Sequence, residues 1–136
     1  RAAAWVGDIQ GITDALVLLD QQRGRVPEAV RAEARAALAA LERRRSEAAA
    51  GFSDAARLFR ELGFDFETAM CNLDLVRTLG ASDPGSSAAA EEARAIFERL
   101  GARPLLDRLA EAERTPTGGR PATGRAAQPT IEVPAE

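Results

Sequence analysis

The apolar residues of this 136-residue chain recur with the period of an α-helix and nowhere alternate as a half-buried strand requires, which confines it to an all-helical fold. Ile9, Ile12, Leu16 and Leu19, flanked by Ala15 and Leu18, mark a first buried face that ends near Gly24. Pro27 suits the first position of a second helix, where its fixed φ helps and its missing N–H has no partner to lose. Val30, Ala34, Ala37, Leu38 and Leu41 form the stripe of that helix, and Arg43, Arg44 and Arg45 close it. Ser46 is placed to cap a third helix in which Phe52, Ala55, Phe59 and Leu62 share a side, with Gly63 at the position that tolerates positive φ.

The strongest stripe follows, from Phe66 through Ala69, Met70, Leu73, Val76 and Leu79, and Gly80 stops it. Asp83-Pro84-Gly85 reads as a turn, and Ser86 or Ser87 as the cap of a fifth helix bearing Ala93, Ile96, Phe97 and Leu100 up to Gly101. Pro104 opens a short sixth helix with Leu105, Leu106 and Leu109. Connections of a few residues force neighbouring helices antiparallel, so the expected architecture is a stack of helical hairpins. Phe52, Phe59, Leu62, Leu73, Val76, Ile96, Phe97 and Leu100 are expected to meet in one contiguous core.

Thirty alanines and a 46% hydrophobic content fit closely approaching helices, and the chain is long enough for one modest core. Residues 1–114 read as the helical domain. The stretch 115–136 has four prolines, three glycines and little to bury, so it reads as a disordered tail. A net charge of −3 and an isoelectric point near 5.2 argue against nucleic acid as a partner, which would call for a basic face. All 18 cations are arginine; without lysine there is no P-loop lysine, Schiff base or lysine general base. Without histidine there is no histidine triad and no histidine-ligated metal. The single cysteine forms no internal disulfide, and no run of about 18 apolar residues exists to cross a membrane, so the chain reads as cytoplasmic and free of membrane contact. It begins at Arg1 without methionine or the features of a signal peptide, and is expected to be an excerpt from the C-terminal end of a longer protein.

The chain also repeats itself. Ala55, Leu58-Phe59, Leu62 and Gly63 return 38 residues later as Ala93, Ile96-Phe97, Leu100 and Gly101, while the match fades in the next helix, where Ala69 and Leu73 oppose Asp107 and Glu111. Such a degenerate repeat, slightly longer than the 34 residues of a tetratricopeptide unit, is the mark of a solenoid whose units need neighbours to bury their faces. Two segments, Ala55-Ala56-Arg57-Leu58-Phe59-Arg60-Glu61-Leu62-Gly63-Phe64 and the run from Glu92 to Arg108, EARAIFERLGARPLLDR, extend the comparison. With them, the stretch 32–109 resembles the C-terminal tetratricopeptide-like region of large bacterial signalling proteins. In that family a class III adenylate or guanylate cyclase domain precedes a P-loop ATPase domain and a helical tail. The resemblance implies a parent that makes a cyclic nucleotide and binds ATP, and gives this segment protein contacts, with a partner or with other domains of its own chain. It assigns no catalytic, cofactor-binding or metal-binding residue here, because the cyclase aspartates and the phosphate loop belong upstream. Maltose-regulator-type transcription activators carry related tails, so a sensor or oligomerisation arm of such an activator is the alternative. Their usual helix-turn-helix domain is replaced here by the Pro/Gly-rich stretch.

Several residues invite a site and are better read otherwise. Arg43-Arg44-Arg45 can bind an anion, but three cations at a helix C-terminus also answer its dipole. Thr117-Gly118-Gly119-Arg120 lacks the lysine and the strand-to-helix setting of a phosphate loop. Cys71, one position off its stripe and with no basic residue within a turn, reads as a small hydrophobe rather than a reactive thiol. Among the carboxylates Asp65, Glu67, Asp74 and Asp83, Asp65 reads as the cap of the fourth helix and Asp83 as a turn residue. Trp5, the sole tryptophan, is expected to pack against a preceding repeat. No cofactor is expected.

Overall fold

The computed structural model describes residues 1–115, and these are all-helical, with no strand among them. A single turn, α1 (Ala2–Trp5), precedes six longer helices: α2 (Ile9–Leu19), α3 (Arg25–Leu41), α4 (Arg45–Glu61), α5 (Asp65–Leu79), α6 (Pro84–Leu100) and α7 (Arg103–Arg114). Residues 116–136, and with them the Thr117–Arg120 segment, lie outside the described residues. No helix among the described residues is long and apolar enough to cross a membrane.

Successive helices from α3 onward pack as antiparallel hairpins, and an arginine ties start to end in each of the first three, by an ion pair in two and by hydrogen bonds to carbonyls in one. Arg25 at the start of α3 reaches Glu61 at the end of α4 at 3.0 Å. Arg45 at the start of α4 donates to the carbonyls of Thr78, at 3.0 Å, and Leu79 at the end of α5. Arg99 at the end of α6 pairs with Asp65 at the start of α5 at 2.6 Å. Alternate helices lie side by side: α5 touches α7 directly, and Arg60 of α4 grips Glu92 of α6 through two nitrogens, at 2.5 and 2.9 Å. The odd-numbered helices α3, α5 and α7 thus form one layer and α4 and α6 the other.

The 38-residue echo is visible in three dimensions. Ala55, Ala93 and Phe97 are fully buried, Phe59 nearly so, and both helices end in the same closure. Phe64 N–H donates to Phe59 and Ala102 N–H to Phe97, each at 2.9 Å, around Gly63 and Gly101 with φ of 78° and 66°. This six-to-one bond satisfies a carbonyl that the last turn would otherwise leave orphaned. The end of α3 repeats it, Arg44 N–H donating to Ala39 at 2.8 Å, but the left-handed residue there is Arg43, at φ 62°.

Helix starts differ from the sequence reading. Helix α3 begins at Arg25, placing Pro27 third rather than first, still inside the turn whose N–H groups have no helical partner. Helix α4 begins at Arg45 on Arg44, so Ser46 is not its cap, and α5 begins on Phe64, with Asp65 already helical and paired to Arg99. Asp83 is the cap of α6: its carboxylate accepts from Gly85 N–H at 2.8 Å, and Pro84 occupies the first helical position. Ser86 instead donates to the Gly80 carbonyl at 2.6 Å, tying the α5–α6 connection. Thr115, assigned to the tail, accepts from Ala81 N–H at 3.1 Å and is anchored to the same connection.

The core also departs from expectation. Phe52, Leu73, Val76, Ile96 and Phe97 belong to one cluster, but Phe59 sits with Ala29, Ala55, Leu58 and Cys71 in a second. Leu62 is only partly buried, Leu100 is 52% exposed and Phe66 40% exposed, so none of these three anchors the interior. Helix α5 is buried far beyond one stripe, from Thr68 through Leu73 without a break, because α4, α6 and α7 pack around it and α1 caps its outer side. Helix α2 is the reverse: Ile12 alone is buried, Leu16 and Leu19 are half-buried, and Ile9, Ala15, Val17 and Leu18 face outward.

Candidate functional site

The inner layer carries an ionisable cluster that takes one member from the N-terminal turn. In α3, Glu33 lies one helical turn from Ala29 and Ala37, both buried, so it leaves the same face near its rim. In α5, Cys71 and Asp74 are three residues apart and likewise share a face. Arg1, just before α1, and Trp5, its last residue, are spaced four apart and joined by the bond from Trp5 N–H to the Arg1 carbonyl at 3.1 Å, so they project together. The Arg1 guanidinium stands 2.6 Å from Glu33 Oε1. The Trp5 ring lies under two more guanidiniums, Arg108 of α7 at 4.2 Å from its centroid and Arg77 of α5 at 5.9 Å. Both distances are within the range at which a cation is attracted to an aromatic face.

Beneath this lid, burial pushes the Asp74 carboxyl up to about 6; the Glu33 charge adds to the rise, while Arg77, Arg1 and the indole N–H oppose it. Asp74 has its nearest cation in Arg77, 3.4 Å away. Burial likewise raises the Cys71 thiol far above its ordinary value, with Glu33 reinforcing it and Arg1 acting against it. Cys71 is completely buried and stays a thiol, as expected for a small hydrophobe, although a cation does act on it, Arg1, seventy residues earlier in the sequence. Trp5 Nε1 and Glu33 Oε1 are both buried under this lid, Glu33 Oε1 against the Arg1 guanidinium at 2.6 Å and the indole N–H towards the Asp74 carboxylate, which it helps to stabilise.

The remaining candidates are structural. Arg44 pairs with Glu42 at 2.7 Å and with Glu47, and Arg45 binds the end of α5, so two of the three consecutive arginines are engaged within the fold. Glu67 lies in the first turn of α5 and Asp83 is the α6 cap, and no group of three or more cysteines and carboxylates among the described residues is placed to hold a metal. Across the other layer, Asn72 donates to Glu92 at 2.5 Å while Arg60 grips the same carboxylate, and these bonds, Arg60 first, hold Glu92 below the usual carboxylate range. Two open depressions accompany these features, one of about 310 Å³ between α3 and α4 beside Gly51 and one of about 480 Å³ beside Arg60 and Asn72. Neither adjoins the Trp5 cradle.

Within the described residues Trp5 packs onto α5 and α7 of its own chain, through Arg77 and Arg108. Sequence reasoning missed Glu33, Arg77 and Arg108 altogether. The available signal was the spacing of Arg1 and Trp5 on one face, but nothing local tied them to partners in other helices. No protein-family model, curated protein or solved structure matches the chain.

Proposed function

We propose that this chain is a non-catalytic, protein-interacting helical-repeat segment of a multidomain signalling protein, and that its parent synthesises a cyclic nucleotide and binds ATP. The observation that carries the first part is the layered stack itself. Stapled antiparallel hairpins give a stiff scaffold, and the charged and aromatic contacts that hold α1 against α3, α5 and α7 support a reading in which the stack engages other polypeptide. The thiol there is buried and protonated, and the chain offers neither lysine nor histidine for acid–base work. The second part rests on the resemblance of the Ala55–Phe64 and Glu92–Arg108 segments to helical tails of cyclase proteins. In this reading, contacts made by the stack bias the state of the ATPase and cyclase domains.

The test uses the intact parent protein. Cyclisation and ATP hydrolysis are compared for wild type, for deletion of residues 116–136 and for Leu73→Asp, which puts a charge at a fully buried position of the central helix. With the upstream domains verified as folded, Leu73→Asp is expected to change output and the deletion to leave it near wild type. Unchanged output from both would make the region a passive spacer. A parent with DNA binding as its output and no cyclase would select the transcription-activator architecture instead.

A further inference from the structure

Helix α2 turns more of its apolar side chains outward than inward. It rests on α3 through Ile12, with Leu16 and Leu19 half-buried beside it. Ile9 and Val17, two turns apart with Thr13 between them, are 43% and 58% exposed, and Leu18 is 66% exposed one turn on from Ala15. A helix that is apolar on nearly every side belongs under cover on more than one of them. The helix is nevertheless firmly held. Asp8 caps its start by accepting from Gly11 N–H at 2.8 Å, Arg31 donates to the Leu19 carbonyl at 2.7 Å, and Arg35 pairs with Asp20 at 3.2 Å. With Val6 at its head, these outward side chains offer on the order of 450 Å² of apolar surface, about the non-polar share of the ~800 Å² that each partner of a stable dimer buries. The charges beside this face are sorted by end. No cation stands on α2 itself; Asp14 is exposed, its carboxylate accepting from Gln10 at 2.8 Å, whereas Asp20 is turned to Arg35 of α3. Just past the helix comes Arg23, exposed and without an ion pair among the described residues.

We propose that the exposed face of α2 is a two-fold interface with a second copy of this chain, the two α2 helices packing antiparallel across Val17 and Leu18. The proposal goes beyond the reading above and does not depend on what the parent does. A two-fold contact is self-complementary, so every favourable pair is made twice. An axis through the Val17–Leu18 turn sets these two residues against their counterparts and lays Asp14 of one copy opposite the Gln21–Arg23 connection of the other. The charges fix the direction. A parallel pair would bring Asp14 against Asp14, whereas the antiparallel pair brings acid against base at both ends. Thr13 and Ala15 are small enough for the helix axes to approach to about 8–10 Å, and the contact covers Ile9, Val17 and Leu18 on the side that α3 leaves bare.

The experiment is sedimentation velocity on the full 136-residue chain, from micromolar to hundreds of micromolar. A concentration-dependent equilibrium between monomer and dimer is expected. Val17→Asp and Leu18→Asp, at outward positions that leave the Ile12 contact with α3 in place, are each expected to weaken it at least tenfold at unchanged helical content. Asp14→Arg and Arg23→Asp are each expected to weaken it as well, and the two together to restore it, because the pair is then reversed rather than lost. Leu18→Cys, oxidised with diamide, is expected to give a disulfide-linked dimer, since the axis brings the two copies of that position within bridging distance. Ala95→Cys, on the exposed side of α6, is expected to give none, Cys71 being buried in both variants. A chain that stays monomeric throughout, or a dimer indifferent to the α2 substitutions, would overturn the proposal. So would a monomer that captures a model amphipathic helix of leucine and lysine through Leu18, since the face would then belong to a different polypeptide.

Discussion

Asp74 illustrates what a single buried charge does to this fold. Its carboxyl titrates near 6 in the folded chain against 3.8 ordinarily, so the fold favours its protonated form. The stability this confers is complete below about pH 4 and is lost as the pH rises through 6, a difference of about 3 kcal/mol. The groups facing it are Glu33, which works with burial, and Arg77, Arg1 and the Trp5 indole, which work against it. Asp74→Asn keeps the shape and removes the titration. Urea midpoints between pH 4 and 7 are therefore expected to lose their fall with rising pH in the variant, with about 1–3 kcal/mol of added stability at pH 7. A variant whose midpoints fall as steeply as those of wild type would show that another group is responsible. Nothing in the sequence marked Asp74 out from Asp65, Glu67 or Asp83, because its shift comes first from burial by packing that leaves no local pattern, with Glu33 of α3, far away along the chain, adding to it.

Among the elements, α3 and α4 show how the small residues are used. A Cβ placed on Gly51 would stand 2.8 Å from the Ala36 Cβ and 3.2 Å from its Cα, so the two backbones meet at a distance only a glycine permits. Gly51→Ala gains about 1 kcal/mol of helix propensity and is nonetheless expected to lose stability overall, since the neighbour it strikes is fixed to backbone. Ala36→Gly removes the atom that is struck. In a double-mutant cycle followed by denaturant midpoints, the pair is expected to show a favourable coupling of about 1 kcal/mol or more; simple additivity would mean the helices separate freely. The sequence made the helices legible through their periodicity and through Gly63, Gly80 and Gly101. It hid the third closure of this kind, since Arg43 occupies a left-handed position where a glycine is usual. Caps were hidden as well: Asp83 and Ser86 are both capping residue types, and only the geometry shows that the first holds α6 while the second reaches back to Gly80. Stripes identify a face without saying how many neighbours it meets, which is why α5 proved buried on nearly all sides and Phe66 and Leu100 proved exposed.

At the scale of the whole molecule, almost all packing joins helices that are adjacent or nearly so in the chain, and the stack was legible for that reason. The placement of Trp5 was not, because its ring closes a circuit from α1 to α7 and such a contact leaves no local pattern. That circuit carries a consequence for the order of events during folding. Hairpins of local contacts zip quickly, whereas seating α1 needs Glu33, Arg77 and Arg108 already in position on three finished helices. In stopped-flow refolding, far-ultraviolet ellipticity is expected to reach its final value before the tryptophan emission does, and Glu33→Gln to slow only the second signal or reduce its amplitude. Coincident traces would mean that the turn seats with the hairpins. The tryptophan is in that sense a clock set late in assembly, reporting the moment at which α1 meets α7.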